Sequence, residues 1–497
     1  MTVAPTTGYV GSLTPKEEAS LREMWTLLFT TVTSLLSSVY EVKLPESSPN
    51  DIFKLLDKIT EPSIDGILAV LKNPPAANGE TASEPTPDAP NGTTIEHSLD
   101  KMKDLASKAN GREILDQLSK TKLTRPQLTN FMTHLRQAHV NETEVKAMEK
   151  ILLAMSPGEM IFTLLKLVKQ EHPDTLLLRF LRARKWDVPK AFGMMANAIL
   201  WRQKLQVDDD IVPKGELHAW EKSRDKKLST AEQKEGKDFI SQLEMGKSYL
   251  HGLDRDGRPV NVVRVRLHKP GAQSQEALER YIVHVIESTR ILVAPPVETG
   301  TILFDMTGFG LGNMEYSPVK FIIQCFEANY PESLGRLLIH NAPWIFSGIW
   351  KIIHGWMDPV VASKVQFTKN INDLDKFIPR AHIPKELGGD QEFEYKYIEP
   401  AADENAAMQD KEKGDAVMIE RMMIGLQLVA TTAAWVSAAD SAKSQEEKEA
   451  VEILKKRRDT VIEEFRTNYW KLDPYVRARA LVDRTGALSP DGTVNSF

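Results

Sequence analysis

Apolar positions recur every three to four residues over most of this chain and give way to alternation or short apolar runs in its middle. Residues 13–58 read as helix: Thr14-Pro15-Lys16-Glu17-Glu18 supplies a cap, a first-turn proline and acids, and Leu21, Trp25, Leu28 and Val32 follow at helical spacing. Residues 72–94, rich in Pro, Ala, Gly and Thr, hold too few apolar side chains to fold and are expected to form a disordered linker. Helical periodicity returns over 97–170, as in Ile114, Leu118 and Met148, Leu152. From Asp174 two helices follow, the second beginning near Pro189 and burying Phe192, Met195 and Ile199. Tyr249 to Leu267 predicts a β-hairpin with Asp256-Gly257 as its turn and Val260, Val262, Val263 and Val265 in the second strand. Residues 274–293 predict an amphipathic helix with Leu278, Ile282, Val285, Ile286 and Val293 inward, and Thr301 to Met306 a buried strand.

The stretch from Asn329 to Phe367 breaks the pattern. Pro331 stops the preceding helix, and Arg336 to His340 is apolar enough for a buried strand of a parallel sheet. Between Pro343 and Pro359 a helix is expected in which only Ser347, Lys351 and His354 interrupt the apolar side chains. A helix apolar nearly all round must be buried on every side or must meet lipid, and this one is too short to span a bilayer. Asp358-Pro359 ends it, and Lys364 opens a second short strand, Val365 to Thr368. A greasy helix bracketed by an acid, Glu332, and a base, Lys364, suggests a lid over an apolar pocket with a polar mouth.

Past residue 397 the chain is helical again. Met422 to Ala439 is uncharged for long enough to resemble a membrane span, but its Gln, Thr and Ala content favours a buried helix. Residues 444–470 predict an amphipathic helix with Val451, Leu454, Val461, Phe465 and Tyr469 near one face, and Lys455-Lys456-Arg457-Arg458 reads as a solvated face.

At 497 residues the chain should hold more than one core. A net charge of −6 disfavours a nucleic-acid binder driven by overall basicity. Cys325, the only cysteine, excludes an intrachain disulfide and suits a reducing compartment, and no secretory signal opens the sequence. The Asn91-Gly92-Thr93 sequon would then go unused. Asp-Arg-Asp-Gly at 254–257 is no calcium loop, because Gly252 and Val263 fall at its first and last ligand positions. The glycines of Thr307 to Gly312 miss dinucleotide spacing, with Asn313 where the third glycine belongs. No G-x-S-x-G and no H-E-x-x-H occurs. Arg182, Arg184 and Lys185 either complement a helix C-terminus or form an anion site.

Taken together, RFLRARKWDV (179–188), DRDGRPV (254–260), TILFDMTG (301–308), NYPESLGRLLIHNAP (329–343), DPVVASK (358–364) and IPKELGG (383–389) resemble the CRAL-TRIO lipid-binding family in its own order. The flanking extensions resemble those of fungal phosphatidylinositol transfer proteins of that family. The resemblance implies an α/β fold: a helical N-terminal tripod, then a small mixed β-sheet flooring an apolar pocket, with helical extensions on both sides. The expected organisation is an extension at 1–71, the linker at 72–96, and a helical region at 97–230 that includes the family's N-terminal part from about 160. The lipid-binding domain follows at 231–397, and a second extension at 398–497. The resemblance further implies a soluble, cytoplasmic, non-enzymatic carrier that visits membrane surfaces of the Golgi, endosome or endoplasmic reticulum. It would exchange phosphatidylinositol and a second lipid, with no cofactor, metal or nucleic acid.

Family ligands for phosphatidylinositol map onto Arg184, Lys185, Glu332 and Lys364, and the gate onto Ile345, Phe346, Ile349, Trp350, Ile353 and Trp356. Glu332 and Lys364 are expected to pair in the empty protein. Three positions depart from the family. Val361 replaces a threonine that contacts the head group, and Gly300 and Ile302 replace the serine and threonine that contact phosphocholine. The second ligand is therefore expected to be less polar than phosphatidylcholine, such as a sterol precursor. The alternative is a lipid-sensing scaffold that holds a protein partner through its N-terminal helices.

Overall fold

The computed structural model describes residues 7–39, 124–137, 140–154, 163–164 and 166–495. The expected linker, the helical reading beyond Val39 and that of Ile114 and Leu118 lie outside them. In chain order the elements used below are α1 (Pro15–Val39), α2 (Arg125–Gln137), α3 (Glu142–Ala154), α4 (Pro173–Ala183), α5 (Val188–Lys204), α6 (Val212–Arg224) and α7 (Thr230–Glu244). Then come β1 (Ser248–Leu253), β2 (Pro259–Arg264), α8 (Gln275–Ile291), β3 (Gly300–Asp305), α9 (Tyr316–Gln324), β4 (Leu334–His340), α10 (Phe346–His354), α11 (Pro359–Ser363) and β5 (Val365–Thr368). Two long helices, α13 (Lys411–Ser441) and α14 (Gln445–Val476), follow a short α12 (Ile371–Leu374). The chain forms two compact units, neither contiguous: Met1–Leu177 with Trp186–Ala196 and Asp415–Tyr469, and Leu178–Lys185 with Asn197–Gly414 and Trp470–Phe497.

Among the described residues, the regular elements of the first unit are all helices. Leu21, Met24 and Leu28 of α1, Met132 and Leu135 of α2, and Met148, Ile151 and Leu152 of α3 are buried, as their spacing requires. Helix α13 is long and apolar enough to cross a membrane. Here it is a core helix: Ile424, Leu428, Trp435 and Val436 are buried, and so is Arg421, whose guanidinium donates to the carbonyls of Phe465 and Lys169. One expectation fails in α14. Lys456 is exposed, but Arg458 is 3% exposed, and its guanidinium meets Asp174 (2.5 and 2.8 Å) and the Thr432 hydroxyl (2.8 Å). Four consecutive residues sweep most of a helical turn, so a charge run cannot share one face. Arg458 falls on the stripe of Leu454, Val461 and Phe465, where Asp174 compensates its charge.

The second unit is built on a five-stranded sheet in the order β1-β2-β3-β4-β5, antiparallel for β1–β2 and parallel thereafter. The hairpin turn is locked from within. Asp254 accepts from Arg336 (2.9 Å), Arg258 (3.2 Å) and the Thr301 hydroxyl (2.7 Å), and Asp256 from Arg258 and Arg336. The carboxylates that resemble a calcium loop are thus occupied by guanidinium groups. The second strand ends one residue early, since Val265 lies in a turn beyond Arg264.

Side chains of β3 and β4 alternate between the two faces. Leu303 and Leu338 join Tyr249, Val260, Val262, Leu374 and Ile378 in one core. Ile302, Phe304, Leu337 and Ile339 face the other way, toward α8, α9 and α10. Ser274 caps α8 by accepting from the Ala277 N–H (3.2 Å), which fixes where that helix starts over the sheet. The Thr307–Gly312 stretch leads only into a three-residue turn, Leu311–Asn313. The Asn313 side chain ties that turn to the carbonyls of Arg266 and His268 (3.2 and 2.9 Å), so no helix N-terminus awaits a pyrophosphate there.

Candidate functional site

Between the second face of the sheet and its covering helices lies a cavity of about 210 Å³. Its floor is Ile302 and Phe304 of β3 with Leu337 and Ile339 of β4. Ile282, Val285 and Ile286 of α8 form one wall, and Phe346, Trp350 and Ile353 of α10 another. Ile302, Phe304, Ile282 and Val285 are only half-buried, and each borders this void.

Helix α10 is shorter than expected. It starts at Phe346, after a turn in which the Phe346 N–H bonds the Pro343 carbonyl (2.9 Å), and Trp344 is left outside with 86% of its surface exposed. Nor is the helix buried on every side. Phe346, Ile349 and Ile353 are buried, Ile345, Trp350 and Trp356 half-buried, and Ile352 exposed. Phe346 packs edge-on against Phe309 (5.8 Å), and Trp350 edge-on against Phe367 (5.2 Å), itself an exposed aromatic. Of the six expected gate residues, Phe346, Trp350 and Ile353 line the cavity, whereas Ile345, Ile349 and Trp356 do not. A short helix with an apolar inner face and large apolar side chains outside is suited to exchange one apolar environment for another.

The acid–base pair expected at the mouth of the pocket is set by the turn after α9, and neither Glu332 nor Lys364 is among the residues that line the cavity. The helix widens over Cys325–Asn329, where the Tyr330 N–H reaches back five residues to the Cys325 carbonyl. Tyr330 is clamped by Glu287 (2.8 Å) and Arg202 (3.1 Å) and by an edge-on Trp201 (5.8 Å). Glu332 then takes φ +55°, a strained value for a side-chain-bearing residue. Its carboxylate accepts from Lys364 Nζ at 3.2 Å, both side chains being largely buried, as expected for the empty protein. Lys364 is itself fixed at the end of α11, its carbonyl accepting from the Leu337 N–H (3.0 Å) at the entry to β5.

Arg184 and Lys185 are placed differently. Both are exposed just beyond α4, and no hydrogen bond or ion pair joins either to Glu332 or Lys364. The buried cation of that motif is Arg179, which donates to the Glu298 carbonyl (2.6 Å), while the half-buried Arg182 meets Glu298 Oε2 at 3.1 Å. Arg179 and Arg182 stand three apart on one helical face, and Arg184 lies round the helix from them. Glu298 precedes β3, and the Gly300 N–H bonds the Ser333 carbonyl (2.9 Å). The end of α4 and the Glu332–Lys364 pair therefore both meet the sheet at the N-terminal end of its parallel strands.

A second polar cluster escaped the sequence reading. Lys247, Ser248, Asn261, His268, Tyr281 and Glu315 border the cavity. Lys247 Nζ donates to the amide oxygens of Gln242 (3.2 Å) and Gln273 (2.9 Å), and burial pulls its pKa down to about 8. His268 meets Glu315 at 2.9 Å, and burial together with the nearby Lys247 charge lowers its pKa. Ser248 donates to the Asn261 side chain, and the Ser248 N–H to the Tyr281 hydroxyl (3.0 Å). These residues come from five separate segments, and none stands in a recognisable spacing.

Comparison with known proteins bears on this arrangement. Residues 243–389 match the CRAL/TRIO domain, and residues 132–197 match the CRAL/TRIO N-terminal domain, which reaches further back than the expected start. The chain is 41% identical over 323 residues to a phosphatidylinositol transfer protein of Eremothecium gossypii, covering 65% of this chain and 70% of that protein. It is 38% identical over 347 residues to a CRAL-TRIO domain-containing protein of Schizosaccharomyces pombe, covering 70% of this chain and 72% of that protein.

Proposed function

The chain belongs to the CRAL/TRIO family of lipid-binding proteins, and from that premise we propose that it is a non-enzymatic carrier of phosphatidylinositol between membranes. The observation that carries this reading is the apolar cavity behind α10, with the Glu332–Lys364 pair at the starts of β4 and β5. A phosphodiester needs a cation and inositol hydroxyls need an acceptor. Lipid that separates the pair gives each partner a replacement, so neither charge stays buried alone. Arg184 and Lys185, exposed just beyond α4, would add positive charge for the head group as it arrives.

Loading requires movement. A void of about 210 Å³ is smaller than the roughly 300–1,000 Å³ of ordinary ligand pockets, so a two-chain lipid displaces the wall made by α10. At a bilayer the apolar inner face of α10 turns to lipid, and Trp344, Ile352, Val360 and Phe367, already exposed, make first contact. Phosphatidylcholine is a poor second ligand. Gly300 has no side chain, and a Cβ there would lie 3.0 Å from Thr289 Cγ2, while Ile302 lines the cavity and offers no hydroxyl. The test is transfer of labelled lipid between two vesicle populations. Phosphatidylinositol should move well above the protein-free rate and phosphatidylcholine should lag. Equal rates for the two lipids, or none for either, would overturn the reading.

A further inference from the structure

We propose that the end of this cavity around Lys247 binds the carboxylate of a single-chain fatty acid, making a fatty acid the second ligand of the carrier. The inference deepens the carrier reading and rests on it. Lys247 is 6% exposed and stands with Ser248, Asn261, His268 and Glu315 at the border of a void whose remaining lining is mostly hydrocarbon. Its ammonium has three donors, and two find neutral amide oxygens, Gln242 at 3.2 Å and Gln273 at 2.9 Å. No carboxylate pairs with it among the described residues. Glu315, from the loop before α9, acts on it only at longer range and hydrogen bonds to His268. Arg264 of β2 is occupied by Glu386 at 2.7 Å, and the hydroxyl of Tyr281 of α8 by the Ser248 backbone. A buried cation without an anion is costly, and one facing a cavity gains its counter-charge from whatever enters.

The surroundings select among ligands. The quaternary ammonium of choline would meet a like charge. A phosphate monoester would bring a second negative charge with no second uncommitted cation to meet it, since Arg264 is paired and burial holds His268 toward its neutral form. A carboxylate brings one charge and an alkyl tail. That tail fits along Ile282, Ile302, Phe304 and Ile322, and the small volume favours one chain over two.

The test titrates the full-length protein with palmitate and with hexadecanol, which shares the chain but not the charge, at pH 6.5 and 9.5. Palmitate should bind about tenfold or more tightly than the alcohol at pH 6.5, as a charge-assisted bond in a dry site implies. That preference should shrink at least about fivefold at pH 9.5, above the lowered pKa of Lys247 near 8. Lys247→Met should erase the preference while hexadecanol affinity holds within about twofold. Equal affinities in the wild type at pH 6.5, or a preference that survives Lys247→Met, would overturn the assignment. Hexadecanol is also the control for the pocket. If neither compound binds, the lipid-carrier reading fails with this one, whereas strong hexadecanol binding without a palmitate preference sinks the Lys247 assignment alone. If the variant does not fold, the pH pair on the wild type decides.

Discussion

Trp344→Ala separates membrane contact from packing, because 86% of the Trp344 surface already faces solvent. A tryptophan side chain presents roughly 150–250 Å², which at about 25 cal/mol per Å² is about 4–6 kcal/mol for complete transfer out of water. An indole held at the bilayer interface realises about half of this, so the substitution should cost about 2–3 kcal/mol of docking, or roughly 30- to 150-fold in vesicle affinity. The fold should be untouched, with a melting temperature indistinguishable from wild type. Phe346→Ala is the contrasting control. That side chain is 6% exposed and packs on Phe309, so its removal should cost roughly 3–5 kcal/mol of stability. Cosedimentation with phosphatidylinositol-containing vesicles, run beside thermal melts, reads both effects. Vesicle affinity of Trp344→Ala within twofold of wild type would refute the docking surface.

Three further outcomes follow from the geometry. Lys364→Ala leaves Glu332 without its partner and removes a charge-assisted bond of about 1.5–3 kcal/mol, so phosphatidylinositol transfer should fall roughly 10- to 150-fold, with Arg184→Ala costing far less. Lys247→Met should raise the melting temperature at pH 7. Charging a buried amine opposes folding below its lowered pKa of about 8, and the penalty fades as pH climbs toward the ordinary 10.5, so calorimetry should find a smaller gap at pH 10. Arg458→Ala strands Asp174 and should cost roughly 3–5 kcal/mol at pH 7 by denaturant unfolding. The Arg458 charge holds Asp174 at about 2 against an ordinary 3.8, so the wild type has this stabilisation above pH 4 and loses it as pH falls toward 2, a dependence the variant should lack.

What was legible in the sequence was whatever depends on neighbours along the chain. The runs at 301–306 and 336–340 are strands because both of their faces are covered, and the register sets Ile302 beside Leu337 and Phe304 beside Ile339. The Glu332–Lys364 pair was readable through its motif, and its bond is present. Composition overstated α10, because the apolar run begins two residues before the backbone turns helical and Trp344 belongs to the turn. Helical phase decides which charge of a cluster goes inside, and composition does not carry phase: Arg182 meets Glu298 while Arg184 stays out, and Arg458 turns inward while Lys456 does not. The Lys247 cluster was invisible for a different reason. It is assembled from the start of β1, from β2, from α8 and from two loops, and only the tertiary fold brings those positions to one end of a cavity.

The central claim is that this pocket holds phosphatidylinositol, and native mass spectrometry of the intact protein after incubation with mixed phospholipid vesicles tests it most directly. One phosphatidylinositol per chain is expected, selected over phosphatidylcholine and lost in Lys364→Ala. A folded wild-type protein that emerges without lipid, or equally loaded with phosphatidylcholine, would contradict it.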